Sequence, residues 1–286
     1  MKRALLLSAA ALAAASLACG ININIPQLTI GPTQTLAINE PVPDASLKQV
    51  DLAITMGAGK LSLTGGGNGL VDGQVSYNVA DWKPTITHTG SSVSIDQGGM
   101  QNNVGLPPSG STIVNDWQLR LGSTPLALTV NAGAYQGTLS LGGVPLRSLA
   151  IHDGASNAKL TFDTANPQSM DSLTYDTGAS TVSLLELANA NTKAIDFTGG
   201  AGDYELDFSG NLQHDISATV KSGVSTVRLV VPQATAAKVN VSGGMNNVNT
   251  DGSWTQTGDS YTQAGQGATI TIDVEMGVGS LKLVNK

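Results

Sequence analysis

One phrase recurs along this chain and limits its fold more than any other feature. Between Leu149 and Val231 it appears four times, as LAIHDGASNAKLTF, LTYDTGASTVSLLE, IDFTGGAGDYELDF and ATVKSGVSTVRLVV. Its skeleton is apolar-x-apolar-x-x-Gly-(Ala/Val)-x-x-apolar-x-Leu. Three further copies centre on Gly57, Gly133 and Gly277, beside Gly154, Gly178, Gly200 and Gly223. Over the seven copies, 27 of 28 patterned slots are apolar, where a composition of 41% would fill about 11, so the period is a design and not a fluctuation. The one exception is Gly137. From Gly133 to Gly223 the spacings are 21, 24, 22 and 23 residues, a length at which repeats stack as supersecondary units.

Apolar residues alternate with polar ones on either side of each glycine, which gives a strand one inward and one outward face. Glycine adopts positive φ without steric cost. The phrase therefore predicts two short strands meeting at a left-handed glycine corner. Two arrangements satisfy it: coils of an elongated all-β solenoid repeating about every 22 residues, or hairpins of an antiparallel meander. The corner lacks the Asn-Gly or Asp-Gly pair of tight hairpins, and a constant period follows naturally from stacking, so the solenoid is preferred. Parallel stacking fixes a register. Leu160, Leu184, Leu206 and Leu229 should form one buried column, and Glu205 should lie beside Arg228 on the outside.

The chain around this ladder divides into three parts. Met1–Cys19 has a Lys2-Arg3 start, an apolar run of about 14 residues, and Ala18 before the only cysteine. The run is too short to span a bilayer and has the layout of a secretory signal. It resembles a bacterial lipoprotein signal with Cys19 as the lipid-modified residue, although Ser16 stands where that signal usually has leucine. The alternative is an ordinary signal cleaved nearby. Residues 20–46, with four prolines and few charges, read as an extended tether; the alternation of Ile21, Ile23 and Ile25 could instead add an edge strand. Residues 47–286 read as a single β-domain: a less regular part over 47–125, regular repeats over 126–231, and a C-terminal part over 232–286. Val93–Val104 and Val239–Val248 both place Gly-Gly-Met before an Asn pair, so the two ends of the ladder should be capped alike.

Candidate chemistry is sparse. The net charge of −7 argues against nucleic-acid binding, which needs a basic footprint. His88, His152 and His214 lack metal-ligand spacing. No Gly-x-Ser-x-Gly elbow appears, though a dispersed Ser–His–Asp site stays open. Gly199–Asp203 approximates a calcium-binding nonapeptide turn but is not repeated in tandem. Trp82, Trp117 and Trp254 could stack on sugars or plug the core. The outward and corner positions Asn131, His152, Asp176, Thr198 and Lys221, and Ala132, Asp153, Thr177, Gly199 and Ser222, hold no carboxylate cluster. No cofactor is expected.

SLKQVDLAITMGAGKLSLTGG, YNVADWKPTITHTG and VSIDQGG resemble the N-terminal part of the bacterial toast-rack family. SGVSTVRLVVP, VNVSGG and ATITIDVEMGVGSLKLV are similar to its C-terminal part, and also to the C-terminal β-domain of LiaF-type cell-wall stress proteins. The resemblance covers about residues 47–286 and implies a stacked β-rack at the bacterial envelope, outside the cytoplasm, with no catalytic residues carried over. The expectation is a non-enzymatic binding or scaffold module, attached to a membrane through lipid on Cys19, with an envelope protein or polysaccharide as partner. An adhesin-like surface protein is the alternative. A polysaccharide-active β-helix enzyme is the third reading.

Overall fold

Strict alternation broken once, always at a glycine, produces bent strands. A computed structural model describes residues 28–44, 46–99, 110 and 112–286. Cys19 and the Lys2-Arg3 start lie outside them, as do the Met100-to-Val104 end of the first Gly-Gly-Met stretch and Ile21, Ile23 and Ile25. The elements in chain order are β1 (Ile30–Glu40), β2 (Val50–Thr64), β3 (Val71–Val79), β4 (Thr85–Thr89), β5 (Ser92–Asp96), β6 (Asn115–Leu121), β7 (Leu126–Ser140) and β8 (Leu146–Thr161). They continue as β9 (Ser172–Leu185), β10 (Ala194–Asp207), β11 (Ile216–Val231), β12 (Ala236–Asp251), β13 (Thr255–Thr257), β14 (Ser260–Gln263) and β15 (Thr269–Asn285). The protein is all-β.

Seven repeat glycines sit in the middle of seven long strands, β2, β7, β8, β9, β10, β11 and β15. Each copy is thus one continuous strand of 14–17 residues, where two short ones were expected. The corner is nevertheless real. In each pairing the ladder skips the glycine: Asp153 pairs with Thr177 and Ala155 with Ala179, with no pair between. The inward phase slips by one residue at the same point, so Leu149 and Ile151 are buried before Gly154, and Ala158 and Leu160 after it. Each strand is therefore bent into two arms whose apolar faces meet. Phe197 on the first arm of β10 packs against Tyr204 on the second, their ring centroids 4.9 Å apart.

Bending brings the two ends of a strand together, which resolves a topological difficulty. Parallel neighbours normally need a crossover of a dozen or more residues. Here β7 through β11 follow one another in parallel through connectors of five to ten residues. The antiparallel meander is excluded for the regular repeats. Leu63, Leu139, Leu160, Leu184, Leu206, Leu229 and Leu283 are successive register partners and all are buried, so the leucine column is continuous. Glu205 pairs with Arg228, Oε1 to Nε 2.9 Å, as stacking requires.

The glycines earn their place differently from the expectation. None of the seven has positive φ. What excludes a side chain from the six after Gly57 is the neighbouring coil: a Cβ on Gly133 would lie 2.6 Å from the carbonyl oxygen of Gly57, and on Gly154 2.8 Å from that of Gly133, whereas on Gly57 it would meet only the Gln97 side chain, at 3.3 Å. The same clash repeats through Gly178, Gly200, Gly223 and Gly277 to Gly244 on β12. The corners form one column in which each backbone occupies its neighbour's side-chain space. Gly137, the exception to the apolar pattern, is filled by the Tyr135 ring, whose Cε2 would stand 2.5 Å from a Cβ there.

Three features depart from chain order or from the expected boundaries. β6 inserts between β3 and β2. The C-terminal strand β15 inserts between β11 and β12, parallel to both. The tether reading of 20–46 is corrected over Ile30–Glu40: β1 pairs antiparallel with β3, because Leu36 and Ile38 turn inward against the extended sheet. The expectation of similar caps holds for the first arms over the described residues. β5 follows β2 and carries antiparallel β4, just as β12 follows β15 and carries antiparallel β14.

Candidate functional site

On the second arm at the N-terminal end the sheet is widened by β6, which runs parallel to β2, and by β3 and β1 outside it. Alternation places Leu61, Leu63, Trp117, Leu119, Val75 and Ile38 in the core. The residues between them face out. They line an open groove of about 760 Å³ running across β1, β3, β6, β2 and β7. Its floor is a polar lattice in register: Lys60 beside Asp116, Ser62 beside Gln118, Gln118 beside Gln74, and Arg120 beside Asp72. Gln136, Thr138 and Asn39 complete the two margins.

The electrostatics of this groove are balanced. Lys60 and Arg120 stand against Asp72 and Asp116, two cations to two carboxylates. Arg120 Nε donates to Asp72 Oδ1 at 2.6 Å, and the backbone N–H of Asn68 donates to Asp72 Oδ2, also at 2.6 Å. The Asn68 N–H first, and Arg120 with it, hold the Asp72 carboxyl below its ordinary range, against the opposing effect of burial. The remaining groups are amides and hydroxyls, each able both to donate and to accept. The sequence pattern shows these residues to be outward, but it does not show that β3 and β1 join β6, which is what assembles the groove.

The residues singled out for chemistry are dispersed by the fold. His88 lies 3.3 Å from Glu40, His152 Nδ1 lies 3.0 Å from Asp176 Oδ2, and His214 Nε2 lies 3.0 Å from Asn191 Oδ1. Asp153 accepts from Tyr175 Oη at 2.8 Å and from Thr177 Oγ1, with Ser180 Oγ 3.4 Å away. His152 and Asp153 are adjacent in one strand and so face opposite ways, His152 outward and Asp153 towards the core. Serine, histidine and aspartate therefore do not converge there. Among the described residues no group of three or more His, Cys, Asp or Glu could hold a metal. Gly199–Asp203 lies within β10 and forms no turn. Trp117 is fully buried, Trp82 is nearly so and lines a separate recess beside Ala58 and Asn115, and Trp254 is half-buried against the core; none of the three lines the groove.

Burial sets the chemistry of the inner network. Desolvation foremost pushes the Tyr135 hydroxyl up to about 12, and it pushes Tyr175 and Tyr204 up as well. Tyr135, Tyr175, Thr177 and Ser180 thus act as neutral hydrogen-bonding fillers beneath the glycine corners; Asp153 accepts from Tyr175, Thr177 and Ser180, and the Tyr135 hydroxyl pairs with that of Tyr175.

The family model for the N-terminal domain of toast_rack, DUF2154, matches residues 29–173, just over half of the chain. No curated protein matches the sequence. Among solved structures the chain is similar to a candidate cell adhesion protein from Clostridium sporogenes, at 20% identity and a TM-score of 0.46, over 89% of this chain and 99% of the other. It is also similar to a candidate adhesin from Bacteroides fragilis, at 11% identity and a TM-score of 0.39, over 88% of this chain and 96% of the other.

Proposed function

The chain belongs to the toast-rack family, and from that premise we propose that it is a non-catalytic binding module of the bacterial envelope, held to a membrane through lipid on Cys19. Its ligand is an uncharged, hydroxyl-rich chain, of the kind an envelope polysaccharide supplies. The groove across β1, β3, β6, β2 and β7 carries this reading. Its charges compensate one another, which disfavours a strongly anionic or cationic ligand. Its amides and hydroxyls repeat at strand spacing, so an extended polymer meets donors and acceptors along its length. No tryptophan lines this groove, so affinity rests on hydrogen bonds worth about 0.5–1.5 kcal/mol each and is modest.

Lys2-Arg3, the apolar run and Cys19 support the anchor. Two acyl chains at roughly 0.8 kcal/mol per buried CH₂ suffice for stable attachment. Titration calorimetry with a panel of neutral oligosaccharides tests the binding face. The double variant Gln118→Ala/Gln74→Ala should lose at least about tenfold in affinity, the equivalent of roughly 1.4 kcal/mol. No binding by the wild type, or equal binding by the variant, rejects the groove. Metabolic fatty-acid labelling that disappears in Cys19→Ser is expected of the anchor, and an unlabelled wild type rejects it.

A further inference from the structure

A stack of strands has an edge at each end of each arm, and natural sheets blunt such edges with short strands, proline or irregular pairing. Three of the four edges here are treated in this way. The first arms end in β4, of five residues, and β13, of three. The second arm at the N-terminal end finishes in β1, which carries Pro32 and an irregular register between Ile30 and Gln34. The fourth edge is the second arm of β12. Its first arm is covered by β14 from Ala237 to Asn240. From Asn247 to Asp251, β15 lies on one side and no strand of the described residues lies on the other.

This edge has little of the usual protection. Asn247, Val248, Asn249 and Thr250 include no charge and no proline, and the one charge, Asp251, stands at the very end of the strand. Val248 is only half-buried, at the open end of the core. Beside it lies a recess of about 560 Å³ whose walls include Val241, Gly243, Gly244 and Tyr261. At the other end of the stack the same corner is closed: Gln97 Oε1 accepts from the Gly57 N–H at 2.9 Å, and Asn115 Nδ2 bridges Gln97 Oε1 at 2.8 Å and Ala58 O at 2.7 Å. The outer ridge changes at the open end too. The residue after the corner glycine is Ala58, Ala134, Ala155, Ala179 and Ala201, then Val224 and Val278 on the strands nearest β12. Those valines are 64% and 46% exposed, the large apolar side chains left in water among the described residues.

We infer that a second copy of this chain pairs at this edge, the two β12 strands running antiparallel about a twofold axis near Val248. The sequence is self-complementary in that register. Asn247 of each copy stands opposite Asn249 of the other, amide against amide, and no like charges meet. Val248 faces its own counterpart and closes the end of the core in both copies. The contact uses the same patch twice, as an isologous dimer does. It also lies at the opposite end of the sheet order from β1, the first described strand after Cys19, so pairing here leaves the N-terminal end of each copy clear.

Sedimentation of the full chain in detergent tests the proposal. The wild type should be a concentration-dependent dimer. Asn247→Lys/Asn249→Lys sets lysines opposite one another on exposed positions and should sediment as a monomer. Val248→Cys should give a disulfide-linked dimer under mild oxidation. Lys159→Cys, on the outer face of β8, and the unsubstituted chain, with Cys19 alone, should not. A wild type that stays monomeric, a dimer indifferent to the two lysines, or cross-links from Val248→Cys only to other proteins would overturn it.

Discussion

At the residue scale, the repeat glycines and the buried tyrosines answer to opposite pressures, one on space and one on charge. Gly178 lies between Gly154 and Gly200 in the corner column, and its Cβ position is occupied by the Gly154 carbonyl. Gly178→Ala should therefore destabilise by about 1–3 kcal/mol through overpacking, although its φ is permissible for alanine. Denaturant titration of the variant against wild type measures this, and an unchanged midpoint refutes the packing account. The tyrosines predict an alkaline limit. The Tyr135 hydroxyl titrates near 12 in the folded protein, against an ordinary value of 10.0. A folded value raised above the unfolded one gives stability that is complete below about pH 10 and lost as pH rises towards about 12. The loss from Tyr135 is at most roughly 3 kcal/mol. Tyr135→Phe should flatten this slope, and an unfolding free energy with the same alkaline slope in the variant would show that the phenol is not responsible.

At the scale of elements, the bent strand was legible from the sequence in its register and not in its cause. The leucine column and the Glu205–Arg228 pair followed from counting residues from each glycine, because parallel stacking leaves no freedom in register. The reason for glycine did not follow, because a clash with the adjacent coil exists only after stacking and has no local signature in the chain. The connectors were equally silent. Asn166, in the connector from β8 to β9, donates through Nδ2 to Leu146 O at 2.8 Å and Ala190 O at 3.2 Å, and its Oδ1 accepts from Leu146 N–H at 3.1 Å. It thereby ties three successive turns, yet it reads in sequence as an ordinary loop residue. The inner and outer columns should differ sharply in weight. Leu206→Ala removes a fully buried side chain from the leucine column and should cost about 2–5 kcal/mol. Glu205→Ala, on the other face, should cost about 0.2–1 kcal/mol and less still in high salt. Equal losses in the two variants would contradict the inward and outward assignment.

At the scale of the whole molecule, the stack is one-dimensional over the regular repeats and departs from chain order at both ends, at the N-terminal one where β6 separates β3 from β2. Most coils neighbour the coil made just before and just after them, so stability is close to a sum of adjacent contacts. β15 breaks that rule: it is the last strand in the chain and separates β11 from β12. The groove at the N-terminal end is built from β1 to β7 and does not depend on β15. The edge on β12 depends on it entirely, because β12 pairs only with β15 and the short β14. Removing residues 269–286 should therefore have a polar effect. β12, β13 and β14 lose their only support of any length and should exchange their backbone amides at near-unfolded rates. β2 and β7 to β10 should keep their protection, since their pairings are untouched. β11 becomes the new end coil and should be protected on one side only. Hydrogen exchange resolved by peptide separates these cases. Loss of protection from end to end would mean that the rack folds as one cooperative unit, and retained protection in β12 would mean that it can dock on β11 directly.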